Sequence, residues 1–399
     1  MKNTDLIEKY LRSGCKGEKT EIVGIELEHF VVKKGTGENV GFYGKNGVGE
    51  LIEKVSENFP DKVYSEDILI AVSNDEYSIT LEPSSQLEIS IMPTKSIAEA
   101  EKIYNSFKKM ITPYLEKSGL ELITEGYRPK GKAKDLELIP KKRYEFMNAY
   151  FEKTGSMGKN MMRATASTQV SVDYADEADC AKKFRTANIL SPLFSLICDN
   201  SKYFEDKLYS GRMARAYVWE NVDCDRCGIV PFGKEFSFSD YAEYIYEKPA
   251  ILVFDDDTAV FTDDKPISEI YKNKQLTDKE IEHILSMFFP DVRLKQYIEI
   301  RPADSMSIEY ALSYAALIKG IFADCAPFDF KNVTSKDVEK AKAEVIKNGF
   351  DADIYGKKAY EICDMMIDCA KNALLGEEVK YLAPMEKIIK TKKTLKEIV

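Results

Sequence analysis

Residues 22–32 read IVGIELEHFVV, and their alternation decides the architecture. Successive side chains of a β-strand point to opposite faces. Val23, Ile25, Leu27 and Val31 therefore take one side, and Glu26 and Glu28 share the other, about 7 Å apart by strand geometry. His29 falls on the apolar side and reads as a packing residue.

Three further stretches repeat the pattern. Between Ile79 and Ile91, Leu81, Leu87, Ile89 and Ile91 oppose Glu82, Gln86, Glu88 and Ser90, with Pro83 breaking the run or placing it at an edge. From Thr165 to Asp173, Val170 and Val172 oppose Thr165, Ser167, Gln169, Ser171 and Asp173. From Tyr297 to Arg301, Ile298 and Ile300 alternate with Glu299 and Arg301. One such strand describes a half-exposed antiparallel sheet whose polar side meets water. Four of them, rich in Glu, Gln, Ser and Thr and poor in Lys, suggest that the polar sides line one cleft. Carboxylates gathered there repel one another and titrate upward unless cations compensate them. Oxygen donors suit Mg²⁺ or Mn²⁺, hard cations that accompany nucleotide phosphates.

Helices are expected over Ile97–Lys117, with Ser96 as cap and Glu99 closing a capping box, and from Asp176 to near Pro192. Others follow Thr277, with Glu280 in the box position, run from Ile308 to Phe322, and fill the Lys-rich part from about 331 to 399 around Asn348 and Gly349. No internal repeat appears, so one continuous body over 1–399 is the expectation. The chain has 399 residues, 44% hydrophobic and 31% charged, a balance that buries a large core and excludes disorder.

A net charge of -10 with no strong basic patch argues against nucleic acid. The most apolar stretch, Ala311 to Ala326, is cut by Lys319 and Asp324 and is too short to span a bilayer. The opening MKNTDLIEKY lacks the apolar core of a secretory signal, and eight cysteines in this length read as reduced thiols. A cytoplasmic protein is the expectation.

Several motifs fail. Gly44-Lys45 is followed by Asn46, so no phosphate-cradling Walker loop forms there. The glycines at 35, 37, 41, 44, 47 and 49 lack Rossmann spacing and read as a hairpin loop. Cys224 and Cys227 form C-x-x-C without the second pair that a structural zinc site needs. Two histidines give no support to serine-histidine catalysis. The segment SGRMARAYVWENVDCDRCGIVP, Ser210 to Pro231, instead combines Arg212, Arg215 and Arg226 with the single tryptophan, Trp219. Arginine forks bind carboxylates and phosphates bidentately, although a loop of surface ion pairs would read the same.

Taken in order, Gly24–Phe30 (GIELEHF), Leu81–Ser90 (LEPSSQLEIS), Thr165–Asp173 (TASTQVSVD), Trp219–Pro231 and Phe289–Asp304 (FPDVRLKQYIEIRPAD) resemble the plant-type glutamate-cysteine ligase family nearly end to end. The resemblance implies an α+β fold with a glutamine-synthetase-like antiparallel sheet, one face polar and catalytic and helices packed on the other. It also implies a carboxylate-amine ligase that uses ATP and Mg²⁺ (or Mn²⁺) to join the γ-carboxylate of L-glutamate to the amine of L-cysteine, the first step of glutathione biosynthesis. Such an enzyme would act as a monomer or homodimer on small molecules. Carried onto matching positions, the metal carboxylates fall on Glu26, Glu28, Glu88 and Glu299, with Glu82 and Gln169 beside them. Arg301 would stabilise the transferring phosphoryl group, and Arg212, Arg215, Trp219, Arg226 and Thr165 would hold substrate or nucleotide. A metal role for Glu299 predicts that Glu299→Gln keeps the fold and loses activity. Ser84 and Ser85 stand where the family pattern has a glycine pair, Pro302 replaces a glycine, and Arg163 is one residue out of register with a family arginine. The alternatives are the same chemistry with another amine acceptor, or a non-catalytic relative that binds nucleotide and metal.

Overall fold

Strand β1, Val23–Lys33, buries Val23, Ile25, Leu27 and Val31 and leaves Glu26 and Glu28 half-buried on the opposite face, as the alternation requires. The computed structural model describes residues 1–65, 67–255, 258–323, 325–328 and 330–399, so Asp324 lies outside the described residues. Around β1 are β2 (Asp61–Ser65), β3 (Ile68–Ser73), β4 (Tyr77–Leu81), β5 (Leu87–Thr94), β6 (Leu120–Ile123) and β7 (Thr168–Val172). With the short strands Val292–Leu294 and Ile298–Ile300 they form a nine-stranded sheet. Its order is Val292–Leu294, Ile298–Ile300, β7, β1, β5, β4, β3, β2, with β6 pairing the far half of β1. Every pairing is antiparallel.

The register aligns the polar residues across the sheet. Glu28 lies opposite Glu88, Glu26 lies between Ser90 and Gln169, Thr80 faces Glu88, and Arg293 faces Glu299. Like charges directly opposite one another destabilise a sheet. The Glu28–Glu88 pair would repel across the strands if both were ionised.

The apolar face is covered by helices Ile97–Ser118, Glu177–Ile197 and Ile308–Ala323. Ser96 caps the first by accepting from the Glu99 amide at 3.1 Å. Glu99 does not close the box onto the Ser96 amide; the next amide, that of Ile97, donates to Glu378 at 2.9 Å, from a distant segment. The second helix runs five residues past Pro192, which loses one backbone hydrogen bond. Burial of every residue from Thr186 to Ile197 outweighs that loss. The Thr277–Glu280 box forms as expected.

Helices Ser335–Asn348, Ala359–Ala373 and Ala383–Thr391 follow, with a short hairpin, Asp353–Ile354 with Lys357–Lys358, between the first two. Ala359–Ala373 packs on Ile308–Ala323 so closely that a Cβ at Gly320 would meet Ala370 Cα at 2.5 Å. The glycine-rich stretch is not one hairpin loop: Gly35 and Gly37 turn the chain, whereas Gly47 precedes and Gly49 lies within the helix Val48–Val55. Among the described residues, no helix is long and apolar enough to cross a membrane.

Candidate active site

The polar face of the sheet forms one wall of a cleft of about 360 Å³. β1 supplies Glu26 and Glu28, β4 and the turn after it Thr80, Glu82 and Gln86, β5 Glu88, and β7 Gln169. The strands near 292–301 supply Arg293, Lys295, Glu299 and Arg301, and other segments add Lys141, Arg143, Tyr144, Thr165, Arg215 and Trp219. Carboxylates and cations thus interleave in one space. That arrangement suits a substrate bearing both charges, or an anion accompanied by a cation.

The carboxylates divide into two groups. Glu28 is satisfied by protein donors: the Ser167 amide at 2.9 Å, the Ser167 hydroxyl at 2.6 Å and the Gln169 amide nitrogen at 3.2 Å. Glu299, fully buried, accepts from Arg293 at 2.7 Å and Arg301 at 2.9 Å, with Lys295 at 3.6 Å. These cations overcome its desolvation and hold it well below the usual carboxylate range. Around Glu26 the same three cations, and around Glu82 Lys141 and Arg143, do not offset burial. Burial, with Glu299 acting on Glu26 and Glu28 on Glu82, pushes both up to about 7. Glu88 is driven well above its ordinary value by burial and then by Glu26, Glu82 and Glu28, although Thr80 donates to it at 2.9 Å.

Acids held together against their own repulsion are the donor chemistry of a hard divalent cation, and Glu26, Glu82 and Glu88 fit that chemistry. Among the described residues, however, no three His, Cys, Asp or Glu side chains converge as a finished cage. Glu299 and Glu28 are already engaged elsewhere. Glu299 is the anchor of an arginine pair, and this corrects the premise that its carboxylate is free of packing duty.

Arg301 lines the cleft, donating to Glu299 and to the Gln169 side-chain oxygen, while its carbonyl accepts from Arg215 at 3.0 Å. Arg215 and Trp219, one turn apart on the helix Ala214–Glu220, also reach the cleft, with the guanidinium 5.6 Å from the indole centroid. Arg215 Nε and Trp219 Nε1 are buried without a hydrogen-bond partner. Thr165 lines the cleft, but its hydroxyl donates to the Met161 carbonyl at 2.7 Å.

Two expected residues are elsewhere. Met213 takes a left-handed conformation (φ 54°) and turns the chain between Arg212 and Arg215. Arg212 consequently points outward and donates to the Lys347 carbonyl at 2.9 Å. Arg226 is fully buried, clamped by Asp223, the Tyr150 hydroxyl and the Pro249 carbonyl, and is a structural ion pair outside the cleft lining. Arg163, the out-of-register arginine, binds the Leu136 carbonyl and Asn148.

Sequence reasoning missed Lys141, Arg143, Arg293 and Lys295. Alternation in the strand opposite Glu299 could have revealed Arg293. The two residues at 141 and 143, at the start of helix Lys142–Thr154, carry no local signal beyond a charge run. Ser85, where the resembling family has glycine, adopts φ 65° in the turn between β4 and β5, a conformation strained for a side chain with a Cβ.

A family model described as glutamate-cysteine ligase family 2 matches residues 22–396. Among curated relatives, chloroplastic glutamate-cysteine ligases from Nicotiana tabacum, Solanum lycopersicum and Medicago truncatula are 29%, 28% and 31% identical over 85%, 96% and 80% of this chain. The matches span 66%, 76% and 64% of those proteins, so the chain covers about two thirds to three quarters of their length. A solved glutamate-cysteine ligase from Francisella tularensis, in complex with AMP, shares the fold with a TM-score of 0.56 and 12% identity, over 93% of this chain and 82% of that one. The chloroplastic relatives overturn the expectation of a cytoplasmic protein. A secretory core missing from ten residues carries no information about organelles.

Proposed function

Because the chain belongs to glutamate-cysteine ligase family 2, a family of ligases, we propose that the cleft joins the γ-carboxylate of L-glutamate to the amine of L-cysteine at the expense of ATP. The observation that carries this reading is the placement of the high-titrating acids Glu26, Glu82 and Glu88 in the same cleft as Arg215, Arg293 and Arg301. A carboxylate is a poor acyl donor until one oxygen becomes a good leaving group. In this reading the γ-carboxylate oxygen attacks the terminal phosphorus of ATP, ADP leaves, and the resulting acyl phosphate is attacked by the neutral amine with release of phosphate and the amine proton.

Glu26, Glu82 and Glu88, which do not converge as a three-carboxylate cage, would each offer oxygen donors to Mg²⁺, which when bound offsets the charge of the nucleotide phosphates. Arg301, oriented by Glu299 and Gln169, stabilises negative charge on the transferring phosphoryl group, an effect typically worth a few kcal/mol. Arg215 and Trp219, with unused donors, hold a substrate carboxylate. Lys141 and Arg143 add positive charge to the cleft lining. The test is release of ADP that requires glutamate, cysteine and Mg²⁺ together. Turnover with a different amine in a panel would reassign the acceptor, and ATP binding without turnover would end the enzymatic reading.

A further inference from the structure

The helix carrying Arg215 and Trp219 is tied to a segment nearly two hundred residues away. Helix Leu395–Ile398 places Lys396 Nζ 3.0 Å from Asp199 Oδ2, where it also donates to the Gly211 carbonyl at 2.6 Å and the Ser201 carbonyl at 3.4 Å. The Lys396 amide donates to the Asp199 carbonyl at 2.8 Å. Asp199 is fully buried, and its Oδ2 accepts the amide of Met213 at 3.0 Å. Met213 is the left-handed residue immediately before Ala214–Glu220. The chain of contacts is therefore continuous from Lys396 through Asp199 and Met213 to the helix that presents Arg215 and Trp219.

The same lysine clasps both sides of the 199–213 loop, since Ser201 and Gly211 flank its two short strands, Tyr203–Phe204 and Lys207–Leu208. A second acid makes the positive charge matter. Asp304, buried beside Asp199, takes the Asn200 amide at 2.9 Å and the Ser201 hydroxyl at 2.7 Å. Burial and the charge of Asp199 push Asp304 up to about 7. Arg215 acts on Asp304, but without Lys396 Asp199 would lose the charge that holds it under the Met213 amide.

We propose that Lys396 is a positioning residue for substrate binding, acting through Asp199 and Met213 to fix Arg215 and Trp219 in the cleft. The proposal rests on the ligase reading for its kinetic consequence but not for its structural one, because Trp219 is the chain's single tryptophan and reports its own placement.

The experiment compares the full chain with Lys396→Met, Lys396→Gln and Lys396→Arg. Lys396→Gln keeps a donor without the charge and serves if the methionine variant does not fold. Thermal unfolding, acrylamide quenching of Trp219 and the kinetics of ADP release are measured on each. The expected result is a glutamate KM raised on the order of tenfold in the uncharged variants, a size typical of coupling through packed elements, with kcat changed less than about twofold. Trp219 becomes more accessible to quencher in the absence of ligand, and Lys396→Arg restores both values. Unchanged quenching and KM in the folded uncharged variants would overturn the proposal, as would loss of kcat in proportion to an unfolded fraction. If the unmodified chain shows no coupled turnover, the ligase reading falls, and the quenching comparison still decides the role of Lys396.

Discussion

At Glu299 a single carboxylate meets Arg293, Lys295 and Arg301 in a fully buried position. Removing one partner of a buried ion pair typically costs about 3–5 kcal/mol, because the remaining charges stay desolvated. Glu299→Gln is therefore expected to lower the unfolding free energy by about that amount as well as to abolish activity. Denaturant unfolding checks this; a variant as stable as the parent would restore the view of Glu299 as a residue serving only a metal. The acids that titrate high behave in the opposite way. Glu26 and Glu82, held at about 7, favour the folded state most when protonated, and that contribution is lost as pH rises through their folded values. Mg²⁺ should consequently raise the melting temperature more at pH 8 than at pH 6, measured by thermal unfolding with and without the ion. Alternation alone exposed these glutamates in the sequence, because strand parity is local. It could not separate Arg215 from Arg212 and Arg226, since their fates depend on the left-handed turn at Met213 and on the buried partner Asp223.

At the scale of elements, the contact between helices Ile308–Ala323 and Ala359–Ala373 depends on the missing side chain of Gly320. Gly320→Ala is expected to cost roughly 1–3 kcal/mol, because the obstructing atom belongs to the backbone of Ala370 and the helices must separate. An unchanged melting temperature would refute it. On β1, buried His29 has Nδ1 3.3 Å from the Leu87 carbonyl and Nε2 3.1 Å from the Tyr104 hydroxyl. A carbonyl only accepts, so Nδ1 carries the proton and Nε2 accepts from tyrosine. Burial lowers the imidazole to about 4. A depressed folded value contributes stability that is present above the unfolded pKa near 6.5 and lost as pH falls toward 4, about 3 kcal/mol in all. The stability difference between the parent and His29→Gln should thus shrink over that interval when unfolding is followed in urea. Strand parity placed His29 in the core. The same local reasoning ended a helix at Pro192, where burial contributed by distant elements prevails.

Across the whole molecule, the cleft joins β1, β5, β7 and the strands Val292–Leu294 and Ile298–Ile300, whose order in the sheet is not their order in the chain. Local patterns identify each strand and its polar face, but which strands become neighbours depends on crossovers that leave no periodic trace. For that reason the common cleft was inferable from the sequence only as an expectation, and Lys141 and Arg143, which approach it from outside the sheet, were not. The sheet's non-sequential order also bears on how the protein is made. Pairings between distant segments must close large loops before they reward the chain, which slows folding. The last strands of the acidic wall, near residue 300, reach their neighbours only after most of the polypeptide has been synthesised. Any small molecule that grips this wall should then act as a folding aid, drawing late intermediates toward the finished state in proportion to its free concentration over its dissociation constant.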